Sequence, residues 1–205
     1  MESINRYHIG LAVILASVCI WSGINVQDTY LTWLLESLPA LIWLTILVVT
    51  YNRFRFSNLM YSVMALHMII LFVGAHYSYA QVPLGFWMEE WFGFTRNNYD
   101  KIGHFMQGVS PTLITFVILQ RCASIPSVRL KYLLCFSVAM MVSAVYEIIE
   151  WFASMTNPTD TEAFLGTQGY IWDTQSDMFM CMTGSLISIT ILIIKTKIDT
   201  HQLID

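Results

Sequence analysis

The sequence predicts an all-α fold, a polytopic bundle of six transmembrane helices with both termini in the cytoplasm. Of its 205 residues, 56% are hydrophobic and 12% are charged, about half of the roughly 25% that soluble domains carry. Apolar stretches long enough to cross a bilayer recur along the chain, and the basic residues are concentrated on one side of them. The net charge of -4 provides no basic surface, so we expect the lipid bilayer, and no nucleic acid, as a partner.

Hydropathy divides a single membrane domain, residues 1–205, into six spans. They cover about residues 9–24, 31–50, 59–79, 101–119, 130–152 and 171–194. The first span follows Arg6 and has the length of a signal peptide. No small-residue cleavage site follows it, and Trp21 lies where such a site would begin, so we interpret it as an uncleaved helix.

The basic residues predict the orientation. Eight of the ten Lys and Arg residues fall at the N-terminus, in the loops after spans two and four, or in the C-terminal tail. Only Arg96 and Lys101 fall on the other side, so the positive-inside rule places both termini in the cytoplasm. Most acidic residues lie on the outer side, which indicates a polar site there.

Polar side chains share one face at the start of span four. Asp100, His104 and Gln107 are spaced i, i+4 and i+7, and we expect His104 about one turn below the outer surface. Arg96 and Lys101 are the basic residues near enough to balance the outer acids, and they are also candidates to bind a headgroup phosphate. The alternative for Asp100 is that it only caps the helix.

Acidic pairs occupy the outer ends of spans five and six. Glu147 and Glu150 are spaced i and i+3, and Asp173 and Asp177 are spaced i and i+4. Ionisable groups inside a span are costly and commonly functional. Carboxylates this close repel one another and lose solvation, so at least one is expected to be protonated or to be accompanied by a cation.

The outer ends of spans two and three reach the same level. Glu36 lies about one turn into span two and His76 near the end of span three, within roughly 10 Å of the acidic layer along the membrane normal. Glu36 facing headgroups and His76 as a hydrogen-bonded packing residue are open alternatives. His67 and the four cysteines are expected to pack in the core. The aromatic and acidic loop 87–94 is expected to form an outer-leaflet lid or an interfacial turn.

Four motif segments, residues 74–83, 96–108, 146–151 and 166–178, together resemble the YjdF family of bacterial inner-membrane proteins, whose function is unknown. The resemblance implies a multi-pass protein of the bacterial cytoplasmic membrane. A looser resemblance is to VanZ-like proteins, which are associated with glycopeptide resistance, through Asp100-Lys101 and His104-Phe105. VanZ-like proteins often carry Gln at the position of Glu150, so this chain has the more acidic site.

The first functional hypothesis is a metal-assisted membrane enzyme that acts on a lipid-linked or envelope substrate at the outer leaflet. Mg, Mn or Zn would be the cofactor. Four acids are the candidate catalytic groups and, together with His104, the candidate ligands: Glu147, Glu150, Asp173 and Asp177. A non-enzymatic scaffold or envelope-stress accessory protein is the alternative, and a cation- or proton-coupled transporter is the second alternative. No HExxH motif is present to specify a reaction.

Overall fold

The computed structural model describes residues 5–156 and 168–201, and within this part every regular element is an α-helix. The helices are α1 (Arg6–Ser22), α2 (Tyr30–Thr50), α3 (Asn58–Tyr77), α4 (Pro83–Phe92), α5 (Tyr99–Cys122), α6 (Val128–Thr156) and α7 (Asp173–His201). The first three begin at polar N-caps, whose side chains accept a hydrogen bond from the first turn: Asn5, Thr29 and Ser57. The predicted all-α class is confirmed for these residues.

Five of the described helices are long and apolar enough to cross a membrane. They are α2, α3, α5, residues Val128–Phe152 of α6 and residues Asp173–Thr196 of α7, and they match predicted spans two to six within a few residues. Helix α1 is apolar but has only 17 residues, so it is about 25 Å long against a hydrocarbon core of about 30 Å. The first predicted span, and with it the count of six, therefore stays a prediction, as do the cytoplasmic termini.

Helix α4 occupies the segment that we expected to be a loop. Pro83 begins it, which suits proline because the first helical N–H needs no partner, and Gly93 ends it in the left-handed conformation with φ 68°. Trp87, Trp91 and Phe92 are exposed on it. The loop prediction was therefore wrong in conformation, since a proline start and a glycine stop enclose a short helix.

The described residues group into two compact units. The first takes its residues from 1–103 and 153–171, and the second from 104–152 and 172–205. In the first unit α3 packs against both α1 and α2, and its Met64, Phe72 and Ala75 are buried. The single membrane domain over 1–205 stays a prediction.

Asn97 organises the connection between α4 and α5 in the first unit. Its Nδ2 donates to the carbonyl of Val82 at 3.0 Å, and its Oδ1 accepts from the N–H of Tyr99 at 3.1 Å. Its backbone exchanges two hydrogen bonds with the amide of Gln168, at 3.0 and 2.8 Å. A Cβ at Gly85 would overlap the Asn97 amide, so glycine is needed for this close approach. Gly166 and Thr167 of the motif lie outside the described residues.

Helices α5 and α7 approach closely in the second unit. A Cβ at Gly108 would overlap the carbonyl oxygen of Cys181, and one at Gly184 would overlap the carbonyl oxygen of Phe105. Small residues commonly allow this backbone approach between helices in membranes. One turn beyond Gly108, the buried hydroxyls of Thr112 and Ser185 lie 2.7 Å apart.

Candidate functional site

The second unit contains a buried cluster of one histidine and two carboxylates. His104 comes from α5, Glu147 from α6 and Asp177 from α7, with exposed fractions of 8%, 7% and 2%. One ligand atom from each lies within 4.8 Å of the other two. The Nε2 atom of His104 is 3.6 Å from Glu147 Oε1 and 3.6 Å from Asp177 Oδ1. Three residues far apart in sequence thus converge at one buried point.

The glycine contacts of α5 and α7 explain the convergence. His104 lies one turn before Gly108, and Asp177 lies one turn before Cys181, whose carbonyl Gly108 approaches. Side chains spaced four residues apart share a helix face, so the backbone contact brings these two side chains together. Helix α6 joins through Ala139, whose carbonyl accepts from the thiol of Cys181 at 3.5 Å.

Gln107 contacts the ring of the histidine on the side away from the two acids. His104 Nδ1 lies 3.1 Å from Gln107 Oε1, and both side chains are buried. With the amide oxygen as acceptor, Nδ1 carries a proton, and Nε2 faces Glu147 and Asp177. A ligating histidine in proteins is commonly oriented in this way, by a hydrogen bond from its other ring nitrogen.

The other two candidate acids lie on the same helices. Asp173 is buried one turn before Asp177, and the two residues offer carboxylate oxygens within 4.8 Å of each other. Glu150 is half-buried one turn after Glu147. Among the described residues, Glu150 belongs to no group of three possible ligands with all atoms within 4.8 Å. Their catalytic and ligand roles stay predictions.

Arg96, Asp100 and Lys101 form a local ion-pair group in the first unit. The Asp100 carboxylate is 3.4 Å from Arg96 Nη2 and 3.2 Å from Lys101 Nζ. Asp100 Oδ1 also accepts from the N–H of Lys101 at 2.7 Å, in the first turn of α5. Asp100 lies within the first turn of α5, where its charge suits the helix dipole, and both its cap role and its role in the polar site stay predictions. A headgroup-binding role for the two bases stays a prediction.

His76 and Glu36 also lie in the first unit, in different surroundings. His76 Nδ1 is 3.2 Å from the carbonyl of Ser22, and its ring centroid lies 4.3 Å from that of Trp21 with the planes tilted by 33°, as the packing interpretation expected. Glu36 is only 4% exposed, so it does not face the headgroups. Neither Glu36 oxygen has a hydrogen-bond partner within residues 5–156 and 168–201.

Three contributors to these sites had no structural role predicted from the sequence. Gly108 and Gly184 allow α5 and α7 to meet, and Asn97 joins α4 to α5. The small residues were a readable signal, because glycine inside a membrane helix commonly marks close packing. No sequence pattern identifies the partner of a buried asparagine.

Five long apolar helices and a buried histidine–carboxylate cluster define a multi-pass membrane protein with a polar site inside its helices. Residues 7–197 match the family model described as Predicted membrane protein (DUF2238), and the chain belongs to that family. It is 43% identical over 181 residues to Inner membrane protein YjdF of Escherichia coli (strain K12). The alignment covers 88% of this chain and 86% of that relative.

These comparisons confirm the resemblance to the YjdF family, and with the apolar helices they support a multi-pass protein of the bacterial inner membrane. They do not show the looser resemblance to VanZ-like proteins. No solved structure matches the chain.

Proposed function

We propose that His104, Glu147 and Asp177 bind a divalent transition-metal cation, Zn²⁺ or Mn²⁺, which acts as a Lewis acid on a lipid-linked or envelope substrate. The observation that carries the proposal is the position of the histidine Nε2, 3.6 Å from both carboxylates. When Nε2 carries no proton, its lone pair faces two acidic oxygens, and this arrangement is repulsive without a positive charge between them.

A metal ion explains the distances better than a proton on the ring does. An imidazolium would draw a carboxylate to about 2.7–2.9 Å, the usual length of a charge-assisted hydrogen bond. Zn²⁺ holds nitrogen and oxygen ligands about 2.0–2.2 Å away, so neighbouring ligand atoms in a tetrahedral site lie roughly 3.3 Å apart. The 3.6 Å separations from His104 are close to that spacing.

The ligand set supports catalysis. Three protein ligands leave a fourth position open, as in catalytic zinc sites, and an imidazole among carboxylates suits Zn²⁺ or Mn²⁺ better than Mg²⁺. A cation there would polarise a phosphoryl oxygen and activate a water molecule. Asp173, buried one turn from Asp177, is the proposed general base.

The proposed reaction is hydrolysis of a lipid-linked phosphate. The water oxygen bonds to phosphorus, a P–O bond of the substrate breaks, and Asp173 takes the water proton and returns it to the leaving oxygen. Hydroxide activation and proton transfer of this kind are established roles for metals and carboxylates. His104 is predicted to lie near the outer face of the cytoplasmic membrane, and this depth suits a substrate anchored in the bilayer.

The proposed topology is six spans with both termini in the cytoplasm. Charge placement supports it, because eight of the ten basic residues then face the cytoplasm. Helix α1, although only 17 residues long, would be the first of the six spans. Fusions of a fluorescent protein to the C-terminus should fluoresce, and alkaline phosphatase fusions there should be inactive. The reverse pattern would contradict the topology.

Metal analysis of purified protein tests the metal site. Wild type loaded with Zn²⁺ or Mn²⁺ and desalted should retain about one ion per chain, and Glu147→Gln and Asp177→Asn should lose tenfold or more in affinity, because each removes a ligand charge. Glu90→Gln, on an exposed position of α4, is the matched control and should bind like wild type. Wild type without stoichiometric metal would rule the site out.

A turnover assay separates the ligand role from the base role. Metal-loaded protein in micelles is given farnesyl diphosphate, and release of inorganic phosphate is followed. Asp173→Asn should keep the metal and lose about 10²- to 10⁴-fold in rate, the usual contribution of a general base. Metal binding without phosphate release would support the proposed ion site and contradict the proposed reaction.

A further inference from the structure

Glu36 is a buried acid whose carboxylate oxygens accept no hydrogen bond from the described residues. It lies on the face of α2 that carries Thr32 and Ala40, one turn to either side, and all three residues are buried. Within the described part of the chain, both of its carboxylate oxygens are shielded from solvent and have no hydrogen-bond partner. Buried polar groups are nearly always hydrogen-bonded, so such an atom pair indicates a ligand outside the protein.

A second acid lies near Glu36. Asp28, two residues before α2, is close enough for its charge to act on the Glu36 carboxyl group. Its Oδ2 atom is also buried and has no hydrogen-bond partner among residues 5–156 and 168–201. Between the two acids, the hydroxyls of Thr29 and Thr32 lie 2.8 Å apart. Residues 28–36 therefore supply several oxygen atoms and two acidic groups.

The chemistry of this segment specifies the class of ligand. Burying a carboxylate without a partner is costly, and the charge of a second carboxylate adds to that cost. A cation with oxygen ligands would remove both penalties together. All of these donor atoms are oxygens, which suit hard cations such as Na⁺ or Ca²⁺ and are a poor match for soft transition metals.

We propose that Asp28, Thr32 and Glu36 form a binding site for a hard cation, Na⁺ or Ca²⁺. It goes beyond the function proposed above, because its donor atoms are all oxygens and it shares no residue with the His104 cluster. The segment supplies the acids and hydroxyls, and backbone carbonyls or water complete the coordination.

Thermal unfolding of the full chain in detergent tests this site. EDTA-washed protein is titrated with NaCl or CaCl2, and N-methylglucamine chloride holds the ionic strength constant. A cation at 100 times its Kd should raise the midpoint by about 5 °C or more, because it binds only the folded chain. Glu36→Gln and Asp28→Asn should abolish the rise, and Glu90→Gln should retain it.

The same titration in a His104→Ala background separates the two sites. The cation-induced rise in the unfolding midpoint should persist in His104→Ala, so this proposal can be tested without the transition-metal site. Equilibrium binding of ²²Na⁺ and ⁴⁵Ca²⁺ to wild type and to Asp28→Asn provides a second measurement if Glu36→Gln does not fold. A wild-type midpoint that responds to neither cation, or bound isotope that Asp28→Asn retains in full, would overturn the proposal. A response to pH alone would assign Glu36 to proton binding and would also overturn it.

Discussion

The His104 cluster and the segment of residues 28–36 both place acids in buried surroundings, but they do so differently. Three helices form the cluster, and each of its two acids lies 3.6 Å from one histidine. The segment holds Asp28 and Glu36 within one short stretch of chain, and neither Glu36 oxygen has a hydrogen-bond partner in the described residues. The two candidate ion sites therefore arise differently. In the His104 cluster, tertiary packing brings the acids together. In the segment of residues 28–36, the acids are already close in sequence, and tertiary packing only excludes water from them.

Replacing one acid in each region by leucine should give the largest effects, with opposite signs. In metal-loaded protein, Glu147→Leu should lower the free energy of unfolding by about 3 kcal/mol, because it removes one of the two acids that balance the charge of the proposed buried cation. Glu36→Leu should raise it by about 1–2 kcal/mol in cation-free buffer, because the change removes an unsatisfied buried polar group. Chemical denaturation in detergent measures both, and Glu90→Gln should change little.

If both leucine variants changed the free energy of unfolding in the same direction, the proposed difference between the two regions would be contradicted. Loss of stability in Glu36→Leu would mean that the protein itself satisfies that carboxyl group. In that case the oxygen-ligated site would lose its main physical support.

Gly108→Ala should disrupt the His104 cluster and leave the segment of residues 28–36 unaffected. The added methyl overlaps the carbonyl of Cys181, so α5 and α7 must separate, at a cost of about 2 kcal/mol. Because His104 and Asp177 separate with them, transition-metal retention should fall, whereas the response to Na⁺ or Ca²⁺ should persist. Thermal unfolding and metal analysis measure the two outcomes.

Gly10→Ala is the control for that substitution. A Cβ at Gly10, in α1, meets nothing within 4 Å, so its only expected effect is a small gain in helix propensity. If Gly108→Ala and Gly10→Ala behaved alike, close helix contact would not be what assembles the cluster.

Thr112→Val should give the smallest effect and tests whether a buried hydrogen bond helps to position the His104 cluster. Its hydroxyl lies 2.7 Å from that of Ser185, and both are fully buried. The near-isosteric change leaves the serine hydroxyl unsatisfied, so the free energy of unfolding should fall by about 1 kcal/mol with little change in metal retention. A complete loss of metal would show that this hydrogen bond, and not the glycine contact, positions His104.

Helix positions and same-face relations were predictable from the sequence. Hydropathy located α2, α3, α5, α6 and α7, because crossing a bilayer requires about 20 apolar residues. The spacing of His104 and Gln107 on one face anticipated their 3.1 Å contact. These are local properties, which depend on helix geometry alone.

The neighbours of each acid were not predictable in the same way. Equal depth suggested one outer cluster, but depth carries no information on which helix faces meet. The structure brings His104 together with Glu147 and Asp177, and it surrounds His76 with Ser22 and Trp21. Whether all the outer acids form a single site stays a prediction.

The sequence by itself determined that this is a membrane protein with sorted charge, because solvent preference and helix periodicity are encoded residue by residue. It also placed Asp28 and Glu36 in one short segment of the chain. Only the tertiary structure decided which carboxylates share a histidine. That choice depends on how closely two backbones approach at Gly108 and Gly184, a contact between distant residues that no local pattern specifies.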